Sequence, residues 1–140
     1  MKHIIEDDYL NKNNILVSVE KMPNTETRYR LKIDENTLYS ITKSGDNISW
    51  QNSHYHKYCN ELYLVQKGRV LIVVQEEKEI SKKILEEGQM IEIKPNVPHN
   101  IYMFENTETC VLKYGDVKQN DWYPDENLDN ICKEIDIQNI

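Results

Sequence analysis

Two histidines and a glutamate near the middle of the chain have the types and spacing of metal ligands. His54 and His56 are two positions apart, so on a strand both imidazoles project from one face, with Cα atoms about 6 to 7 Å apart. Glu61 follows a polar bend and opens an alternating segment at residues 61–65, which can return a carboxylate to the same ion. A lone His-x-His pair is also common on exposed surfaces, but the nearby carboxylate favours a metal site.

The spacing of these residues resembles the motifs of the cupin family. The first cupin motif, after its opening glycine, is similar to His-x-His, four residues, Glu61, six residues and Gly68 in this chain. Gly88 and His99, eleven residues apart, are similar to the first position and the histidine of the second motif. The resemblance covers about residues 48–104.

Four positions depart from the family pattern. They are Ile48 at the opening glycine of the first motif, Asn96 at the inner glycine of the second, Pro95, which is displaced by one position, and Met103 in place of the terminal asparagine. None of them removes a ligand. Because asparagine tolerates positive φ better than other residues with a side chain, we predict that Asn96 keeps the turn.

The resemblance implies an all-β fold, the double-stranded β-helix or jelly-roll barrel of cupins, with one metal bound inside one mouth. The implied ligands are His54, His56, Glu61 and His99. Three imidazoles and one carboxylate suit a divalent transition metal, and Mn, Fe, Ni, Co and Zn are all chemically acceptable. Such an ion acts as a Lewis acid or, as iron, binds dioxygen.

Cupin-like barrels support many activities, so the fold alone does not select one. We expect a metal-dependent enzyme that acts on a small oxygen-rich metabolite, of the sugar or sugar-acid isomerase or epimerase type. The alternatives are an Fe-dependent dioxygenase and a non-catalytic module that binds a metal or a small ligand. Oxygen uptake with Fe(II), or ligand binding without turnover, discriminates among the three.

Several polar or aromatic residues are candidates for contact with a substrate. Tyr63 shares a strand face with Glu61 and is the candidate catalytic acid or base, with packing inside the barrel as the alternative. Trp50 shares a face with His54 and either floors the pocket or fills the core. The other candidates are Tyr102, Met103 and Lys113 for substrate binding and Glu92 for proton transfer. Cys59 lies in the motif loop without an assigned role.

Short strands must position these residues. Apolar residues alternate in segments such as 38–42 and 62–65, and turn residues separate the segments as in an antiparallel all-β domain. Residues 70–74 are apolar on both faces, which predicts a strand buried on both sides. The charged residues 76–83 predict an edge strand or a solvent crossing.

The length of 140 residues fits one domain. We expect a core barrel at about residues 28–115, a loose polar arm at residues 1–14 and a short C-terminal helix at residues 126–136. The helix prediction rests on apolar residues at helical spacing, namely Leu128, Ile131, Cys132 and Ile135. This helix is expected to lie on the sheet or on a partner chain.

Composition narrows the choice of partners. The chain has 17 Lys and Arg against 24 Asp and Glu, a net charge of −7, and its cations form no stripe, which argues against nucleic acid. No apolar run is long enough for a membrane span and no signal-peptide pattern is present, so we expect a cytoplasmic protein. Its three separated cysteines are expected to stay reduced. The resemblance to small cupins implies a homodimer that binds a small-molecule ligand.

Overall fold

The chain folds into two antiparallel sheets with a short C-terminal helix, which confirms the predicted all-β jelly-roll class. The computed structural model describes residues 7–32, 34 and 36–140. The strands are β1 (Leu16–Lys21), β2 (Thr27–Lys32), β3 (Leu38–Lys43), β4 (His54–Tyr55), β5 (Cys59–Lys67), β6 (Arg69–Glu76), β7 (Glu79–Glu86), β8 (Met90–Ile93), β9 (His99–Met103), β10 (Glu108–Gly115) and β11 (Tyr123–Pro124). The helices are α1 (Asp7–Lys12) and α2 (Glu126–Lys133), followed by a 3-10 turn at Ile137–Asn139.

Pairing between distant strands brings the predicted ligands together. The six-stranded sheet has the order β1-β2-β3-β10-β5-β8, and the five-stranded sheet has the order β11-β4-β9-β6-β7. In the five-stranded sheet His54 lies directly opposite His99. In the six-stranded sheet Glu61 lies between Lys113 on β10 and Ile93 on β8. Each sheet therefore contributes part of the ligand set.

Strand β6 is buried on both faces, as its continuous apolar sequence predicts. Residues 70–74 are all buried. Ile72 and its alternate neighbours face the core between the sheets, whereas Leu71 and Val73 face a second apolar cluster on the other side. The charged strand β7 pairs with β6 at the edge of the five-stranded sheet, where solvent accommodates its charges.

Helix α2 covers this second cluster. Its residues Leu128 and Cys132 are buried against Leu71 and Val73, which accounts for their helical spacing in the sequence. The C-terminal helix was expected to lie either on the sheet or on a partner chain. In the structure it packs on the sheet of its own chain.

Residues at the start of α2 also form hydrogen bonds with Ser53, the residue that precedes His54. The Asp125 backbone N–H donates to the Ser53 carbonyl at 2.9 Å, and the Asp129 carboxylate accepts from the Ser53 backbone N–H at 2.8 Å. The Asn100 side-chain amide donates to the Ser53 hydroxyl at 2.8 Å. Because Ser53 is fully buried, these bonds satisfy its polar groups and fix where strand β4 begins.

The turn before His99 has the conformation predicted for it. Asn96 has a φ of 63°, the left-handed conformation that asparagine tolerates in place of glycine. Its backbone N–H donates to the His56 carbonyl at 2.6 Å. The same turn that leads into β9 therefore also contacts the first ligand segment.

The polar arm predicted for residues 1–14 lies partly outside the described residues. Residues 1–6 lie outside the described residues, and Asp7–Lys12 form the short helix α1. Residues 16–32 then form the antiparallel pair β1 and β2, which extends the six-stranded sheet. Within the described part of the chain, no helix is long and apolar enough to cross a membrane.

Candidate metal centre

Four side chains converge between the two sheets. One ligand atom from each lies within 4.8 Å of the ligand atoms of the others, in the group His54, His56, Glu61 and His99. His54 opens β4, His99 opens the neighbouring β9, and Glu61 lies on β5 of the facing sheet. Three of the four residues are buried and His54 is partly exposed, so the group has one side open towards solvent.

Hydrogen bonds orient every imidazole in the same way. In each ring Nδ1 donates to a backbone carbonyl: His54 to Asn52 at 2.8 Å, His99 to Val97 at 2.9 Å, and His56 to Asp121. A carbonyl oxygen only accepts, so Nδ1 carries the proton. In the neutral ring the Nε2 lone pair is then left for a metal, an arrangement typical of metal-binding histidines.

The centre contains two buried polar atoms that lack a hydrogen-bond partner among the described residues. They are His56 Nε2 and Glu61 Oε1, which lie 2.8 Å apart, while His99 Nε2 lies 3.0 Å from the same oxygen. Neutral imidazole nitrogens and a carboxylate oxygen are all acceptors, so their approach is favourable only with a cation or protons among them. A divalent metal satisfies these atoms together, and the residues therefore fit such an ion.

Charges in the centre keep its ligands in the forms that bind metal. Burial alone would raise the pKa of Glu61, but the neighbouring His56 and His99 outweigh it and hold this pKa well below its usual value. Burial, and then the neighbouring His99, lowers the pKa of His54 to about 3. Glu61 is therefore ionised and His54 neutral at neutral pH.

Asp121 organises the loop that carries His56, a role the sequence did not reveal. Its carboxylate accepts from the backbone N–H groups of Lys57 at 2.7 Å and Tyr58 at 3.0 Å. Its carbonyl accepts from His56 Nδ1 across a separation of 65 residues. Since Asp121 is buried, it forms the outer support of the first ligand segment. No local motif surrounds it, so only the folded chain identifies it.

Trp122, the next residue, covers the exposed side of the centre. Its ring stacks on His54 with ring centroids 5.5 Å apart and an interplanar angle of 25°. Trp122 is 45 % exposed, so the indole lies between His54 and solvent. This contact was not predicted, because Trp122 lies far from the motifs along the sequence.

Cys59 belongs to a second group of close ligand atoms with His56 and Asp121. In that group His56 Nδ1 already donates to the Asp121 carbonyl, and the Asp121 carboxylate already accepts two amides. Burial raises the pKa of the Cys59 thiol to about 11, so it stays protonated. We interpret this group as structural.

Tyr63 lies inside the centre beside Glu61. Its hydroxyl donates to Glu61 Oε2 at 3.1 Å and lies 3.2 Å from His99 Nε2. Burial, followed by the charge of Glu61, raises the pKa of Tyr63 well above its usual value. The phenol therefore remains protonated at neutral pH, which suits a proton donor better than a base.

A cavity of about 330 Å³ opens from the metal centre. It is lined by residues of both sheets and of the connecting loops, among them Glu26, Arg28, Thr42, Trp50, Gln51, His54, Glu61, Tyr63, Lys113 and Trp122. Trp50 and Lys113, two of the candidate substrate-binding residues, thus lie on the wall of the cavity. Its polar and aromatic lining suits a small polar ligand.

Three other candidates lie elsewhere. Met103 is 1 % exposed in the core at the end of β9 remote from His99, and Tyr102 packs on the opposite face of the strand against Trp50 and Phe104. Neither is among the described residues that line the cavity. Glu92 points outwards, where it pairs with Lys94 at 2.5 Å and accepts from the Tyr114 hydroxyl. Strand alternation sends the Tyr102 and Glu92 side chains away from the centre, whereas Met103 shares the strand face of His99 but lies at the other end of β9.

The chain is a small jelly-roll barrel with a candidate metal centre of three histidines and one glutamate between its sheets. A family model described as "Cupin domain" matches residues 43–117, more than half of the chain. The protein therefore belongs to the cupin family. The matched segment contains all four candidate ligands.

Solved structures show the same fold. Bacillus subtilis oxalate decarboxylase, studied for its Mn(II) centres, has a TM-score of 0.65 and 16 % identity over 77 % of this chain and 30 % of its own. KdgF from Halomonas sp. has a TM-score of 0.61 and 15 % identity over 74 % of this chain and 89 % of its own. The chain thus spans less than a third of the oxalate decarboxylase chain. No curated protein sequence matches it.

Proposed function

We propose that this cupin binds one divalent transition metal through His54, His56, Glu61 and His99 and is an enzyme for a small oxygen-rich metabolite. The proposed reaction is of the sugar or sugar-acid isomerase or epimerase type. The observation that carries the proposal is the pair of buried unpartnered ligand atoms, His56 Nε2 and Glu61 Oε1, in a centre that opens onto a polar cavity. Mn, Fe, Ni, Co and Zn all suit this donor set.

The chain's own residues can divide the chemistry among them. When bound, the ion supplies Lewis acidity towards a carbonyl or hydroxyl oxygen of the substrate. Tyr63 holds Glu61 Oε2 by a hydrogen bond and keeps a proton available at its hydroxyl. Trp50 and Trp122 contribute flat apolar surfaces to the cavity, and Trp122 limits the access of water to His54.

Metal-dependent exchange of carbon-bound hydrogen with solvent tests the proposed chemistry. Protein loaded separately with Mn(II), Fe(II), Co(II), Ni(II) and Zn(II) is incubated in D₂O with aldoses, ketoses and uronates, and deuterium incorporation is followed by NMR. We expect exchange beside a carbonyl with at least one metal. In this exchange solvent removes the proton from carbon while the Tyr63 hydroxyl donates to the carbonyl oxygen of the substrate. Tyr63→Phe should therefore slow the exchange by about 10²- to 10⁴-fold, the usual contribution of a positioned proton donor, without loss of metal.

The same preparations separate this proposal from its alternatives. Oxygen uptake by the Fe(II) protein without hydrogen exchange would contradict the isomerase hypothesis and support the dioxygenase hypothesis. Saturable binding of sugars without exchange or oxygen uptake would leave a non-catalytic binding module. A Tyr63→Phe protein with undiminished exchange would contradict the role given to that hydroxyl.

We also propose that the protein is a homodimer formed along strand β1. This edge strand exposes apolar side chains, with Leu16 63 %, Val17 53 % and Val19 60 % exposed. An exposed apolar edge is suited to pair with the edge of a second copy across a two-fold axis. Helix α2, the other surface considered, already buries its apolar face on its own sheet.

Light scattering after size-exclusion chromatography tests the dimer. We expect about twice the 16.7 kDa mass of the chain, and a monomer for the double variant Val17→Lys, Val19→Lys, because charges on an edge strand oppose pairing. Met90→Lys is the control, since Met90 is 58 % exposed on β8 at the other edge of the same sheet. A monomeric wild type would refute this arrangement.

A further inference from the structure

The cavity wall carries cations that the family motif does not supply. Arg28 lies on β2, outside the matched segment 43–117, and lines the same cavity as His54 and Glu61. Lys113, directly opposite Glu61 on β10, lines it as well. These cations face the cavity in a chain whose net charge is −7, so positive charge is concentrated where a ligand would enter.

A hydrogen bond positions Arg28 without a close ion pair to its guanidinium. Its Nε donates to the Thr42 hydroxyl at 3.2 Å, which fixes the guanidinium plane against β3. Its side chain remains 20 % exposed. Arg28 lines the same cavity as Tyr63 and Glu61 of the metal centre. The terminal nitrogens of Arg28 are therefore available to a ligand beside that centre.

Glu26 is the carboxyl group that lies nearest to this guanidinium. Its Oε2 is 4.0 Å from Arg28 Nη2, beyond a direct hydrogen bond, and accepts from Gln51 Nε2 at 2.8 Å. Burial raises the pKa of Glu26 above its usual value, which weakens its competition with a ligand anion. Arg30 also lines the cavity, but it forms an ion pair with Glu20 at 2.5 Å.

We infer that the cavity takes a carboxylate-bearing ligand and that Arg28 binds this carboxylate. The planar guanidinium presents paired N–H donors that match the two oxygens of a carboxylate, and such charge-assisted bonds are among the strongest that proteins form. Resting on the proposed function, the inference narrows its substrate class to sugar acids or acids of similar size. The specificity element is then strand β2, which lies outside the matched family segment.

Matched pairs of sugars test the inference directly. Protein stripped with EDTA, and the same protein reloaded with Mn(II), are titrated with D-glucuronate against D-glucose and with D-galacturonate against D-galactose. In each pair a carboxylate replaces a hydroxymethyl group. Binding is read from tryptophan fluorescence, because both tryptophans of the chain, Trp50 and Trp122, line the cavity.

We expect at least one uronate to bind about tenfold or more tightly than its neutral partner, both with and without metal. Arg28→Gln should abolish this preference and Arg28→Lys should keep part of it, because lysine retains the charge without the paired donors. Arg69→Gln, which lies over the Phe104 ring and is not among the described residues that line the cavity, should retain the preference. Thermal unfolding of each variant confirms that it is folded.

Two results would overturn the inference: no preference in either pair, or a preference that persists in Arg28→Gln. The metal content of the same samples separates this test from that of the proposed function. Protein that binds metal without preferring uronates contradicts the inference alone. Protein that prefers uronates through Arg28 but binds no metal supports it and contradicts the proposed metal chemistry.

Discussion

Glu61→Ala is expected to abolish metal retention. Wild-type protein purified without chelators should contain about one equivalent of a transition metal per chain, whereas this variant should bind it at least 100-fold more weakly, since even the loss of an outer support costs about 10- to 100-fold. The physical reason is that Glu61 is the anionic ligand of the group, and its Oε1 lies 2.8 Å from His56 Nε2 and 3.0 Å from His99 Nε2. Elemental analysis and a chelator competition titration provide the measurement.

The matched control for this experiment is Glu92→Ala. Glu92 has the same chemistry but lies on the outside of the barrel, paired with Lys94, so its loss should leave the metal content unchanged. A wild-type protein that is purified without metal and takes up none of the five candidate ions would refute the metal centre. The barrel would then be a metal-free binding protein. If metal is present, the element directs the assays, with iron pointing to oxygen chemistry.

Asp121→Ala is expected to weaken metal binding by about 10- to 100-fold although Asp121 is not one of the predicted ligands. The substitution removes the carboxylate that accepts from the backbone N–H groups of Lys57 and Tyr58. Leaving these donors without their partner should also lower the free energy of unfolding by about 1 to 3 kcal/mol. The loop would then hold His56 less firmly.

Chelator competition and urea unfolding separate the two consequences of this substitution. Asp121→Asn should be intermediate, because its amide oxygen still accepts one hydrogen bond. Asp116→Ala is the control, since Asp116 is exposed and pairs only at 3.4 Å with Lys118. A variant that loses stability but keeps its metal affinity would show that Asp121 supports the fold and not the orientation of His56.

Local patterns in the sequence were sufficient to predict the burial of strand β6, the C-terminal helix and the turn before His99. Continuous apolar character predicted that residues 70–74 are buried on both faces, and helical spacing predicted the helix that buries Leu128 and Cys132. The conformational tolerance of asparagine predicted the positive φ of Asn96. Each of these features is set by residues that are neighbours along the chain, so it can be predicted from the sequence.

Other local features broke the usual rules and were missed. The turn between β6 and β7 places Glu77 and Lys78 at φ values of 47° and 70°, although neither is glycine or asparagine. Pairing between the flanking strands imposes this two-residue turn in spite of its unfavourable sequence. Tyr102 lies outside the cavity because it is on the face of β9 opposite to His99, and Met103 because it is at the other end of that strand.

The sequence by itself determined the chemical types of the candidate centre: which residues can bind metal, and which of them share a strand face. Only the tertiary structure decided what surrounds them. Asp121 supports His56 across 65 residues, Asp129 holds Ser53 across 76, and Arg28 reaches the cavity from a strand beyond the matched family segment. Such contacts arise from long-range strand pairing and helix docking, whose register no periodicity along the chain records.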